Sequence, residues 1–157
     1  MKFSEMTYTR PDPAASKQRL SALTAELKAA KSYEKARKVF LSQQELMRHI
    51  STAATLASIR YSNDRRDEFY DGEEKFWNNF NPELEEYNQA WTAAMLESPF
   101  RADFEKEYGD LMFVNAEIAR KTFSPAIIPE LQQENDLTQE YEKLLASAKV
   151  PFEGKVY

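Results

Sequence analysis

The chain has 157 residues, 42% of them hydrophobic and 13% aromatic, which argues for one folded domain with a real core despite a charged fraction of 30%. A formal net charge of −5 gives no overall attraction to nucleic acid or to an anionic membrane. The absence of cysteine excludes disulfides, thiolate nucleophiles and every Cys-based metal site, and only three glycines are available for the turns of a hairpin-rich all-β fold.

The first residues, Met1-Lys2-Phe3-Ser4-Glu5-Met6, lack the apolar region of a signal peptide, and no later run is apolar over a membrane-spanning length. Residues 1–12 are expected to form an extended arm, and the protein to be cytoplasmic. Four capping residues stand directly before Pro, at Asp12-Pro13, Asn81-Pro82, Ser98-Pro99 and Ser124-Pro125. Each reads as a helix start, because Pro costs nothing where the helical N–H is unpaired anyway.

From Pro13, the residues Leu20, Leu23, Leu27 and Ala30 fall on one helical stripe. Ser32 can cap a long second helix, in which Ala36, Val39, Phe40, Gln43, Met47, Ile50, Ala54, Ala57 and Tyr61 follow steps of three and four. Its segment from Ile50 to Ile59 carries no charge, so burial on all sides is expected there. A third helix opening near Asn63 or Asp64 groups Phe69, Tyr70, Glu73, Phe76, Trp77 and Phe80, with Asp67, Glu68, Asp71, Glu74 and Lys75 outward.

Asn81-Pro82 is expected to start a fourth helix bearing Leu84, Tyr87, Trp91, Ala94 and Met95. Ser98-Pro99 begins a shorter one with Phe100, Phe104 and Tyr108, closed by Gly109. Leu111, Val114, Ile118 and Phe123 make the next stripe, and a short helix follows Ser124-Pro125 with Ile127, Ile128 and Leu131. Thr138 starts the last helix, with Tyr141, Leu144, Leu145 and Ala148 inward, before an extended, hairpin-like run from Val150 to Tyr157.

Chemistry is harder to find. A zinc hydrolase built on one helix needs His-Glu-x-x-His, and the chain has a single histidine, His49, which reads as an ordinary packed or half-exposed side chain. The charges Asp64, Arg65, Arg66, Asp67, Glu68, Asp71, Glu73 and Glu74 invite a carboxylate site, but mixed signs at helical spacing read as a solvated face. Neither a Gly-x-Ser-x-Gly elbow nor a phosphate loop can be written with these glycines. The stripe Phe69, Phe76, Trp77, Phe80, Trp91, Phe100 and Phe104 reads as core rather than as a ligand groove.

Four stretches resemble, in order, the N-terminal region of the oligoendopeptidase F family, the thimet-type zinc metallopeptidases. They are Met1-Lys2-Phe3-Ser4-Glu5 with Tyr8-Thr9-Arg10-Pro11; the run from Ser51 to Arg60 leading to Asp67-Glu68-Phe69-Tyr70; Leu96-Glu97-Ser98-Pro99-Phe100-Arg101; and Lys121-Thr122-Phe123-Ser124-Pro125 through Leu145-Ala146-Ser147-Ala148-Lys149. The final Phe152-Glu153-Gly154-Lys155-Val156-Tyr157 is similar to a strand–turn element of that family. The resemblance implies a mostly helical body around a deep channel, with zinc held by His-Glu-x-x-His and a downstream Glu that lie beyond this segment.

The expected fold is therefore all-α, a single domain over residues 1–157 with about seven to eight helices and one long central helix. It divides into an arm (1–12), a helical core (13–148) and an extended tail (149–157) continuing into a missing lobe. No catalytic, cofactor-binding or metal-binding residue is expected in this chain, and zinc is expected in the missing lobe. The resemblance implies an N-terminal scaffold lobe of a zinc-dependent oligoendopeptidase, inactive alone, whose partners are the catalytic C-terminal lobe and short peptide substrates. The alternative is a free-standing helical module that binds a partner helix or itself through an apolar groove.

Overall fold

The computed structural model describes residues 5–122, 124–149 and 151–156. Among these it is all-helical apart from a minimal hairpin, with six α-helices: α1 (Pro13–Ala29), α2 (Tyr33–Asn63), α3 (Glu68–Leu96), α4 (Arg101–Tyr108), α5 (Leu111–Thr122) and α6 (Ile128–Ala146). A 3₁₀ turn, Pro125–Ile127, stands before α6, and two short strands come after it, β1 (Pro151–Phe152) and β2 (Lys155–Val156). Residues 6–12 run without regular secondary structure. Expectations for Met1 to Ser4, Phe123, Val150 and Tyr157 lie outside the described residues.

The first two helices begin where their caps predict. Asp12 Oδ1 accepts the Ala15 N–H at 2.7 Å with Pro13 in the first turn, and Ser32 Oγ accepts the Lys35 N–H at 3.4 Å. Leu20, Leu23 and Leu27 of α1 are buried, facing α2 and α3. α3 starts at Glu68 rather than at Asn63 or Asp64, because Asp64 closes α2 while Asp67 Oδ1 accepts from both Phe69 N at 3.0 Å and Tyr70 N at 3.2 Å. Glu68 and Asp71 in that first turn suit the positive end of the helix dipole.

Pro82 does not begin a new helix; it is buried inside the unbroken α3. An interior Pro removes one ladder hydrogen bond and leaves the carbonyl four residues earlier without its N–H, here that of Asn78. In this fold Asn135 Nδ2 of α6 donates to Asn78 O at 3.2 Å, and Gln132 Nε2 donates to Asn79 O at 3.0 Å. A neighbouring helix thus supplies what Pro withholds, so the expected third and fourth helices are one.

The same happens near the C-terminus. Thr138 lies inside α6, which runs on from Ile128 because neither Gly nor Pro interrupts it beyond Pro129. Ser98 and Ser124 also do not cap α-helices directly: their hydroxyls accept from Phe100 N and Ala126 N in the turns that precede α4 and α6. Gly109 ends α4 with φ +86°, and its N–H donates to Glu105 O. In the hairpin, Pro151 pairs with Val156 and Phe152 with Lys155 across a turn whose two central residues, Glu153 and Gly154, both have positive φ.

Two apolar clusters form the core. One brings Leu23 and Leu27 of α1, Phe40 of α2, Trp91 of α3, Phe104 of α4 and Phe113 of α5 together. The other joins Leu20, Ile50, Ala57, Trp77, Phe80 and Leu84. Three expected inward faces are not inward. In the uncharged run of α2, Ser51, Thr52, Thr55, Ser58 and Ile59 are exposed, so only one side of it is buried. On α5, Leu111, Val114 and Ile118 face out while Phe113 packs, and on α6 Tyr141, Leu144 and Leu145 face out. Ala148, beyond the end of α6, is exposed as well.

Candidate functional site

Three places combine polar chemistry with burial, and each starts from α3. Glu73 is 3% exposed although it stands among aromatic residues on that helix. The arm explains how it is kept there. Arg10 Nε donates to Glu73 Oε2 at 2.9 Å, its Nη2 donates to Oε1, and the Tyr8 hydroxyl donates to Oε2. Trp77 Nε1 donates to the Tyr8 oxygen at 3.1 Å, and the Arg10 guanidinium lies 4.5 Å from the centre of the Phe76 ring.

Burial alone would raise the Glu73 pKa, but the hydrogen bonds from Arg10 and Tyr8 outweigh it and hold the carboxyl below the usual Glu range. Tyr8 is pushed up to about 12, first by its own burial and then by the carboxylate it donates to. A carboxylate so fully engaged is no general base. It is an anchor that fastens the arm to α3.

The second place lies where α6 meets α3 and the end of α2. Arg65 Nη1 donates to Glu142 Oε2 at 2.6 Å and stacks its guanidinium 5.3 Å from the centre of the Tyr61 ring. Asp71 is held by Lys75 at 3.2 Å, by Lys143, and by Gln139 Nε2 at 3.2 Å. Glu74 has the opposite fate: burial, then repulsion from Glu142 and Asp71, raise its pKa, against a smaller opposing pull from Arg65. The expected solvated face is therefore real at Asp64, Arg66 and Glu68, which are exposed, but not at Asp71, Glu73 or Glu74.

The third is a groove of about 360 Å³ between α2, α3 and α5. Its floor is apolar, from Phe40, Trp91, Met95 and Phe113, and its rim carries the amides of Gln44, Asn88 and Asn115. Gln43 is buried on the core stripe of α2, with Gln44 Nε2 donating to its Oε1 at 2.9 Å. Its lining carries these amides and the Thr92 hydroxyl but no charged side chain, which suits an uncharged chain or side chain.

His49 is exposed on α2. No group of three His, Asp or Glu side chains capable of holding a metal ion occurs among the described residues. The donor set here does not fit a zinc site, since zinc in hydrolases takes converging His and carboxylate ligands. Nor is any helix among the described residues long and apolar enough to cross a membrane.

A family model for the peptidase M3 N-terminal domain matches residues 3–123, from the arm through α5. The chain belongs to this family. The M3 N-terminal domain seen here superposes on a chain described as an oligoendopeptidase F, solved by X-ray crystallography at 3.1 Å, with a TM-score of 0.96 and 38% identity, covering 100% of this chain and 28% of that one. It matches PZ peptidase A, solved with an inhibitor, at a TM-score of 0.95 and 36% identity over 99% of this chain and 28% of that one. A Bacillus anthracis chain also described as an oligoendopeptidase F gives a TM-score of 0.95 and 35% identity, over 99% and 29%. None of the curated protein sequences matches significantly.

The M3 N-terminal domain thus spans well under a third of the solved chains it matches. Its arm anchor was missed at the sequence level as a contact, although the signal was present: a carboxylate on an aromatic helix stripe calls for a paired cation or donor. Tyr8 and Arg10, noted only for their resemblance, supply both. The polar contacts of α6 left no such signal, because its apolar residues drew the inward face to the wrong side.

Proposed function

We propose that this chain is the N-terminal scaffold lobe of a zinc-dependent oligoendopeptidase that hydrolyses short peptides, and that it helps wall an enclosed channel while contributing no catalytic group. The observation that carries this is the superposition of the whole chain on 28% of an oligoendopeptidase F at 38% identity. Zinc and its ligands are assigned to the remainder of the parent enzyme, because the residues here do not fit them. The absence of cysteine suits a reducing, cytoplasmic setting.

The role of such a lobe is shape and access. Channel walls select substrates by excluding folded chains, and binding energy from parts of a peptide remote from the scissile bond serves to orient it. The groove on α2, α3 and α5, with an apolar floor and an amide rim, has the chemistry to hold a peptide in this way. The test is to express the full reading frame to which these residues belong and to assay a short quenched fluorescent peptide. Cleavage that stops on treatment with a chelator and returns with added zinc is expected. A reading frame that encodes no His-Glu-x-x-His, or a product that cleaves equally well after chelation, would overturn the proposal.

A further inference from the structure

α6 sits on the rest of the molecule with its polar side inward. Gln132, Asn135, Gln139, Glu142 and Lys143 meet α3 and Arg65, and Gln139 is 5% exposed. At about 100° per residue the opposite side is Leu137, Tyr141, Leu144 and Leu145. These four are 57%, 61%, 68% and 57% exposed. A helix with an apolar stripe ordinarily turns that stripe toward its own core. Here the inward orientation is set by amides that cap the carbonyls of Asn78 and Asn79 around Pro82 and by ion pairs to Asp71 and Arg65, so the apolar stripe needs another cover.

We infer that the outward stripe of α6, centred on Leu137, Tyr141 and Leu144, is the surface on which the catalytic lobe of the parent enzyme docks. This rests on the function proposed above. Two observations choose the occupant. The M3 N-terminal family model matches residues 3–123 and leaves α6 outside the matched segment, although α6 packs on α3. Yet α6 belongs to the common fold, because the superposition covers 100% of this chain while taking in only 28% of the solved one. A helix shared by the relatives, held to α3 and Arg65 by polar contacts and outside the segment that the family model matches, is placed to give its apolar side to the remaining lobe. The partner face is accordingly apolar, with a polar group at its edge for Glu140, which flanks the stripe, and another for Glu134, which continues the stripe toward the helix N-terminus; both are exposed.

The 157 residues contain no cysteine, so single substitutions Leu137→Cys and Leu144→Cys in the full-length parent report on cover directly. Their rates of reaction with a maleimide are compared with those in the same chain unfolded in urea, after subtracting the labelling of the unsubstituted parent. Protection of about tenfold or more at both positions, independent of protein concentration, in a parent that still cleaves peptide, is the expected result. Reaction as fast as in the unfolded chain, with peptidase activity intact, overturns the docking surface and leaves the proposed function standing. Protection that grows with protein concentration makes the occupant a second copy and also overturns it. A parent with no peptidase activity overturns the function and, with it, this inference.

Discussion

Two adjacent carboxylates on α3 are pushed in opposite directions by their neighbours. Glu73 is held below the usual range after its burial is outweighed by Arg10 and Tyr8, whereas Glu74 is raised by burial and by Glu142 and Asp71. The signs then come from linkage. Glu73, with a depressed folded pKa, contributes stability above its unfolded value of about 4.3, and that contribution fades as pH falls through the folded value. Glu74, with a raised folded pKa, favours the folded state below that unfolded value and loses this contribution as pH rises through its folded value. Glu73→Gln is expected to destabilise the fold at pH 7 by about 1–3 kcal/mol, since Arg10 loses its ionic partner, with Arg10's partial exposure keeping it toward the lower end. Glu74→Gln is expected to be neutral or to stabilise slightly, by less than about 1 kcal/mol. Urea denaturation from pH 3 to pH 8 checks both: the E73Q profile should flatten at the acid end, and a loss of stability in E74Q at pH 7 would contradict the assignment.

At the scale of elements, what holds α3 together through Pro82 is α6. An interior Pro costs a helix about 3 kcal/mol when nothing compensates. Asn135→Ala should cost about 1 kcal/mol in the parent sequence, because it leaves the Asn78 carbonyl unpaired, and less in a Pro82→Ala background, where the backbone N–H restored at position 82 takes that carbonyl. A double-mutant cycle measured by denaturation reads the difference as a coupling between positions 82 and 135. Equal costs in both backgrounds would remove Asn135 from the explanation. The same pair shows what a sequence can and cannot carry. Asp12, Ser32 and the Leu20, Leu23 and Leu27 stripe are local signals, and the helices they announce are where they should be. Asn81-Pro82 is an equally good local start signal that fails, because its rescue comes from the Asn135 side chain, 57 positions from the carbonyl it pairs. On α6 and α5 the apolar stripes were legible but their direction was not: periodicity finds a face and says nothing about which molecule or lobe meets it. Glu73 was half legible, since its place among aromatics was plain while the arm that neutralises it is tied down only by tertiary contact.

For the whole molecule, the role proposed for these residues is shape and access, with the chemistry placed elsewhere in the parent enzyme. Family and superposition establish the N-terminal part of an M3-type peptidase fold, and the described residues bring no donor set together that would hold zinc. What the fold does provide is a groove floored by aromatics, an arm anchored through a buried carboxylate, and apolar helix faces turned outward. The most direct measurement is cleavage of a short quenched fluorescent peptide by the purified 157 residues with zinc added, set beside the full-length parent at equal concentration. The 157 residues are expected to give no cleavage above the buffer rate and the parent zinc-dependent cleavage; turnover by the 157 residues alone would overturn that division of roles.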